Sequence, residues 1–236
     1  MVKRNDSLTC TSGITRGEPD AARVARPVRP YTCLPGSIKG LFYHLHFIMD
    51  LYWRKIVDCE IYENESSENL AAVLKRATFN EGSLAPAVLH SDNGSPMKGT
   101  TLAALCYLLG IAASYSRPRT SNDNAHMELM FRTVKYCTSY PCDGIASIEA
   151  ARTWLGELVR FYNDQHHHSS LNFVTPHQKH NGEDLEILAK RAKVCEGAKA
   201  VNSRRWIRGT LRSWDPVASA SLVTTNANTK GKAITG

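Results

Sequence analysis

The sequence predicts an α/β fold: a mixed sheet flanked by helices, followed by a helical and irregular C-terminal extension. Three observations carry this expectation. Two strand candidates come first, "LFYHLHFIM" (41–49) and "KIVDCEIY" (55–62), joined by the short link "DLYWR" as a hairpin. Helix and strand candidates then alternate through residues 66–116. Longer amphipathic stretches follow, to about residue 200.

Each element has a local reason. In 55–62, Val57, Cys59 and Ile61 alternate with Asp58, Glu60 and Tyr62, the period of a half-buried strand. Ser66 or Ser67 can cap a helix whose apolar residues Leu70, Val73, Leu74 and Ala77 recur at i, i+3, i+4 and i+7. "APAVLHS" reads as the next strand. "TTLAALCYLLG" (100–110) reads as a short helix, opened by a Thr cap and closed by Gly110. "IAASYS" (111–116) is a strand stopped by "RPR". Helices are expected over about 124–136, 147–163 and 184–200, with a capping box at Thr175-Pro176-His177-Gln178. Residues 1–35, with Pro27, Pro30 and Pro35, read as irregular.

The 236 residues are 42% hydrophobic and 22% charged, enough for one domain with a core plus tails. No apolar run reaches the ~18–20 residues of a membrane span, and the basic start has no apolar stretch behind it, so neither a membrane protein nor a secretory signal is expected. Seven cysteines without a Cys-x-x-Cys pair suit reduced thiols in the cytoplasm. The net charge of +7 is uneven: +4 over residues 1–40, −2 over 41–180 and +5 over 181–236. Basic ends around a slightly acidic middle suit a polyanion such as DNA.

"VLHSDNGSPMKG" (88–99) places Asp92 where a strand leaves the core in a sharp turn. An aspartate there either bonds its own turn or faces a ligand. Glu128 lies in "SNDNAHMELMFRTVKY" (121–136); on a helix it shares a face with Arg132 and Lys135, at i, i+4 and i+7. That face is either solvated, with an ordinary ion pair, or a place where a carboxylate meets metal while cations hold phosphate. Thirty-five residues separate Asp92 from Glu128.

This combination resembles the integrase catalytic core of bacterial insertion-sequence transposases, a group related to retroviral integrases. The resemblance covers roughly residues 30–215 and includes "LPGSIKGLFYHL", "DLYWRKIV", "FYNDQHHHSSLNFVTP" and "NGEDLEILAKRAKV". It implies an RNase H-like sheet and a two-ion site for Mg²⁺ or Mn²⁺. The implied activity is phosphoryl transfer joining transposon ends to target DNA, on a homo-oligomer assembled on DNA. Residue by residue, Asp92 matches the second catalytic aspartate and Glu128 the glutamate, both as metal ligands. Arg132 and Lys135 match DNA-contacting positions.

The pattern breaks at the first catalytic aspartate. The family segment usually reads Trp-Asp-Ile-Thr-Tyr-Leu-Pro-Gly; aligned on Leu34-Pro35-Gly36, this chain has Pro30 in place of the aspartate. Proline offers no metal-binding side chain and no ladder donor. Asp50 and Asp20 are the candidate substitutes; Asp50 matches a non-catalytic aspartate at the end of the family's second strand. Trp53, Asp58 and Cys59 also depart from the usual residues, and the chain is expected to lack the helical DNA-binding region that usually precedes the core. The expectation is a truncated or degenerate transposase, with a non-catalytic DNA-binding remnant as the alternative reading.

The expected organisation is a basic irregular segment over 1–29, the catalytic core over 30–182, a basic helical and aromatic extension over 183–221 and a disordered tail over 222–236. "HHH" (166–168), with His177 and His180, reads as helix-end residues rather than a zinc site. "NSRRWIRGTLRSW" (202–214) reads either as an Arg/Trp surface for nucleic acid or as a small β element packed by Trp206 and Trp214.

Overall fold

The computed structural model describes residues 9–10, 24–27, 33–82, 85–86, 88–117, 125–137, 139–206, 211–217 and 220–221. Its main sheet contains β2 (Val24–Pro27), β3 (Cys33–Pro35), β4 (Phe42–Asp50), β5 (Ile56–Tyr62), β6 (Val88–Ser91) and β7 (Ala112–Tyr115). A separate two-stranded ladder joins β1 (Thr9–Cys10) to β8 (Ala220–Ser221). The helices are α1 (Ser67–Asn80), α2 (Thr100–Leu108), α3 (Ala125–Tyr136), α4 (Ile148–Asp164), α5 (Pro176–His180) and α6 (Asp184–Val201). The architecture is the RNase H-like one expected.

The register fixes the sheet. His44 pairs with both Cys33 and Tyr62, and Ile48 with both Pro27 and Asp58. β5 therefore lies on one edge of β4, and β2 and β3 lie one after the other on its opposite edge. β2 is antiparallel to β4 and parallel to β6, which is parallel to β7. The segment read as irregular thus supplies the central strand. The described pairs on this side of β4 end at Pro27↔Ile48 and resume at Cys33↔His44. Position 30 falls in that interval, outside the described residues.

Two cores flank the sheet. Leu45, Phe47 and Met49 of β4 pack with Met127, Met130 and Val134 of α3 and with Ala151, Leu155, Leu158 and Tyr162 of α4. On the other face, Ile48 and Leu89 pack with Leu70, Val73, Leu74 and Ala77 of α1 and with Leu102 and Cys106 of α2. The alternation along β4 sends neighbouring residues to opposite cores. Ser66 caps α1, its side chain accepting from Asn69 N–H, and Ser147 caps α4 in the same way. The Thr175/Gln178 capping box forms as expected. The start of α2 differs from expectation: Gly99 is its N-cap, with no side-chain cap bond, and Thr100 is the first helical residue. Gly110 follows α2 at φ +67°, a conformation that favours glycine.

The departures at 53, 58 and 59 are absorbed by packing. Trp53 is fully buried, its ring edge-on to His180 at 4.2 Å. Asp58 accepts from Arg76 Nε at 2.9 Å. Cys59 packs against the α3/α4 core, and burial pushes its thiol up to about 12.

Two histidines make the fold acid-sensitive. His46 is 1% exposed, and neither ring nitrogen has a hydrogen-bond partner among the described residues. Burial, with a smaller contribution from His44, lowers its pKa from 6.5 to about 4. His168 is lowered to about 4 as well, first by burial and then by the charges of Arg54 and His166. The unfolded chain then binds protons at a higher pH than the folded one. Stability is fully present above about pH 6.5 and is lost as pH falls toward 4. His46→Phe is expected to flatten that fall in urea melts taken across this window; an unchanged slope would show that His46 does not contribute.

Candidate active site

Asp92 follows directly on β6, at the end of a strand buried between β2 and β7. It is 7% exposed, and its Oδ1 accepts from Gly94 N–H at 2.8 Å, the turn bond expected of an aspartate here. The turn is fastened to β7. Ser116 N–H donates to the Ser91 carbonyl at 2.8 Å, and the Asn93 side chain donates to the Ser116 carbonyl. Behind Asp92, the buried imidazole of His90 bridges Ser114 Oγ at 3.0 Å and Ser116 Oγ at 3.2 Å. Sequence reading missed this clamp; the histidine and serines lie 24 and 26 residues apart, and only the parallel β6–β7 register joins them.

α3 turns Met127, Met130 and Val134 into the core and leaves Glu128, Arg132 and Lys135 exposed. The spacing i, i+4, i+7 thus presents the three together on the outer face, as expected. The ordinary Glu128–Arg132 ion pair does not form among the described residues. The Arg132 guanidinium instead lies 5.9 Å from the centre of the Tyr136 ring.

Asp50 has a different role. Its Oδ1 accepts from Tyr52 N–H at 2.8 Å and Trp53 N–H at 2.9 Å, which shapes the β4–β5 turn. Its register also separates it from Asp92. Ala25 is abreast of both Asp50 and Leu89, and Asp92 lies three residues beyond Leu89. That is about 10 Å along the strands and about 10 Å across two strand spacings. Asp20 lies outside the described residues.

Among the described residues, the donor set does not fit a pair of divalent ions. Hard cations need several oxygen ligands, supplied chiefly by carboxylates. The central strand supplies none: no Asp or Glu occurs from residue 21 through residue 49, and β2 reads Val-Ala-Arg-Pro. Among the described residues, no group of three or more His, Cys, Asp or Glu side chains could hold a metal ion.

In the histidine run, His166 and His168 are held by packing and His167 is exposed. His166 stacks on Tyr162 at 5.5 Å, and His168 meets both rings edge-on. His177 pairs with Asp164 at 2.7 Å. In the C-terminal extension, Trp214 packs against the buried Leu171–Val174–Leu188 cluster. Arg191 and Arg212 lie 5.6 and 5.1 Å from its ring centre, and Asn172 Nδ2 donates to the Asp215 carbonyl at 2.8 Å. Trp214 is therefore partly buried and packed against this cluster. The described part of 202–214 forms a short 3₁₀ turn, Ser203–Arg205, and no strand. None of the helices among the described residues is long and apolar enough to cross a membrane.

The sheet order and the flanking helices have counterparts in solved structures. A chain of the simian T-cell lymphotropic virus intasome, solved in complex with PP2A regulatory subunit B56 gamma, superposes with a TM-score of 0.52 at 15% identity. The match covers 75% of the present chain and 60% of that one, so this chain spans less than two thirds of its length. The catalytic core domain of BIV integrase superposes with a TM-score of 0.51 at 13% identity, covering 70% of this chain and 98% of that domain. At such identities the likeness concerns the fold. No curated protein matches the sequence. Two family models, both described as integrase core domain, match residues 29–121 and 109–176, together more than half of the 236 residues. On the RNase H-like sheet and these matches, the chain belongs to the integrase core domain family.

Proposed function

We propose that this protein is a transposase-type integrase core that binds DNA, the ends of a mobile element and its target, and is degenerate as a cutting and joining enzyme. One observation carries the reading: the strand between β4 and β6 lies in a stretch, 21–49, without a single carboxylate. Asp92 and Glu128 are what remains of the family's ligand set. Two carboxylates bring two negative charges against the four positive charges of two Mg²⁺ ions, so the second ion would be held poorly at best. Integrase cores generally use divalent metals, and this chain keeps the scaffold and the DNA-facing cations without the full donor set.

What this chain's own residues do is bind and orient. The exposed Arg132 and Lys135 supply positive charge on the outer face of α3, where phosphate oxygens can reach them. Binding of this kind is electrostatic and salt-sensitive. Charge reversal at both positions is expected to weaken duplex binding across unrelated sequences and to flatten the salt slope by about two phosphate contacts. Fluorescence anisotropy at several salt concentrations measures both; an unchanged slope would assign the pair to solvent. A homo-oligomer on DNA belongs to the same reading and is tested by the mass of the protein–DNA complex in light scattering.

A further inference from the structure

Two arginines and two aromatic rings converge where the C-terminal extension meets the turn before α5. The Arg212 guanidinium lies 4.6 Å from the centre of the Phe173 ring and 5.1 Å from that of Trp214. Arg191 of α6 lies 5.6 Å from the same Trp214 ring. Arg191 is half-buried and directs its donors to the backbone: Nη1 to the Asn172 carbonyl at 2.7 Å and Nη2 to the Phe173 carbonyl at 3.0 Å. These bonds hold a turn in which Asn172 and Phe173 both have positive φ, 55° and 61°. For an aromatic residue that backbone is uncommon and strained. The turn presents the Phe173 ring at the surface, 38% exposed. Arg212 is itself exposed, and its one hydrogen bond among the described residues is long, from Nη2 to Asn172 Oδ1 at 3.4 Å. Neither arginine pairs with a carboxylate among the described residues; that of the nearby Asp215 accepts from Ser213 Oγ instead.

We propose that Arg212 is a contact for a DNA backbone phosphate, held in place by the Phe173 and Trp214 rings and reinforced by the charge of Arg191. The inference rests on the DNA-binding reading above and adds a contact on a separate element from α3. Arg191 shows what an arginine kept for packing does: its donors are bonded to the chain. Arg212 is fixed by stacking while its donors stay almost entirely unengaged. A guanidinium in that state stays charged and matches two phosphate oxygens with paired donors. The two rings already order the side chain, so little rotamer freedom remains to be lost on binding. The surrounding charge favours a polyanion over a free phosphate ion. Residues 189–212 carry eight Lys/Arg against one Glu, a net +7, as much as the whole chain.

The test is duplex DNA binding by anisotropy over a range of salt concentrations. The proteins are the unmodified chain, Arg212→Gln, Arg212→Lys, Phe173→Leu and the double variant Arg212→Gln/Phe173→Leu. Arg212→Gln is expected to weaken binding and to flatten the slope of log K against log salt by about 0.9, one phosphate contact. Arg212→Lys should keep the slope yet bind less tightly than the parent, because an ammonium lacks the planar fork. Phe173→Leu should weaken binding by the parent and change nothing further once Arg212 is Gln, because the ring acts through the guanidinium. Urea melts establish that each variant is folded; Arg212 is exposed, so its variants should match the parent. A folded Arg212→Gln with the parent's slope would overturn the proposal while leaving the DNA-binding reading intact. Equal weakening by Phe173→Leu with and without Arg212 would do the same. No binding by the unmodified chain at low salt would overturn the DNA-binding reading, and the proposal with it.

Discussion

Incubated with labelled DNA ends and Mg²⁺ or Mn²⁺, the chain is expected to give no 3′-end cleavage and no strand transfer above the level of its Asp92→Asn variant. The dominant effect is charge. Changes that only touch the supports of a metal ligand already cost about 10–100-fold, so loss of a ligand should cost at least that. Pro30→Asp is not expected to restore activity. Pro27, three residues earlier, cannot donate to a sheet ladder and restricts the approach to position 30. The neighbours Arg29 and Tyr31 also differ from the family's strand. Metal-dependent activity in the unmodified chain that disappears in Asp92→Asn would contradict this expectation. Asp20→Asn and Asp50→Asn would then identify the third carboxylate. Loss of activity in Asp50→Asn would count only if the variant folds, because Asp50 shapes the β4–β5 turn.

The largest effect on stability is expected at Lys179 and Asp184. Their side chains meet at 2.7 Å and are 7% and 3% exposed. Lys179 Nζ also donates to the Val217 carbonyl at 3.3 Å and lies 4.8 Å from the centre of the Tyr52 ring. One ammonium thus ties together α5, the first turn of α6, the β4–β5 turn and the C-terminal extension. Removing one partner leaves a buried charge unpaired. Asp184→Ala is expected to cost about 3–5 kcal/mol, whereas an apolar pair of similar volume at both positions should recover most of that loss. Urea unfolding measures both. A single variant within about 0.5 kcal/mol of the parent would show that the pair is not buried in solution.

Much of the fold was legible from local pattern. The period-2 alternation of 55–62, the caps at Ser66 and Ser147 and the apolar stripe Leu70–Ala77 each set an element without help from distant residues. The central strand was not legible, and the reason is physical. "VARP" has an arginine and a proline, no alternation and only four residues; its backbone is organised by β4 on one side and β6 on the other. Propensity is a weak guide where tertiary pairing decides. Trp53 and Trp214 were equally opaque. Their partners, His180 and the Leu171–Val174–Leu188 cluster, are distant in sequence or belong to turns.

The candidate site divides in the same way. The Asp92 turn and the exposed face of Glu128, Arg132 and Lys135 follow from spacing alone, because a sharp turn and a helix are local. The His90 clamp and the arginine-bearing strand beside β6 needed the parallel register. The departures at Trp53, Asp58 and Cys59 read as damage in the sequence, yet each is packed or paired in the fold. Degeneracy, in this reading, is confined to the first strand, and the scaffold around it is maintained.

The most direct test of the central claim is crystallographic: diffraction from Mn²⁺-soaked crystals, with anomalous maps calculated around Asp92 and Glu128. The expected result is no pair of Mn²⁺ ions between these carboxylates. Two anomalous peaks about 3.5–4 Å apart, held by Asp92, Glu128 and a third oxygen ligand from residues 1–32, would contradict it.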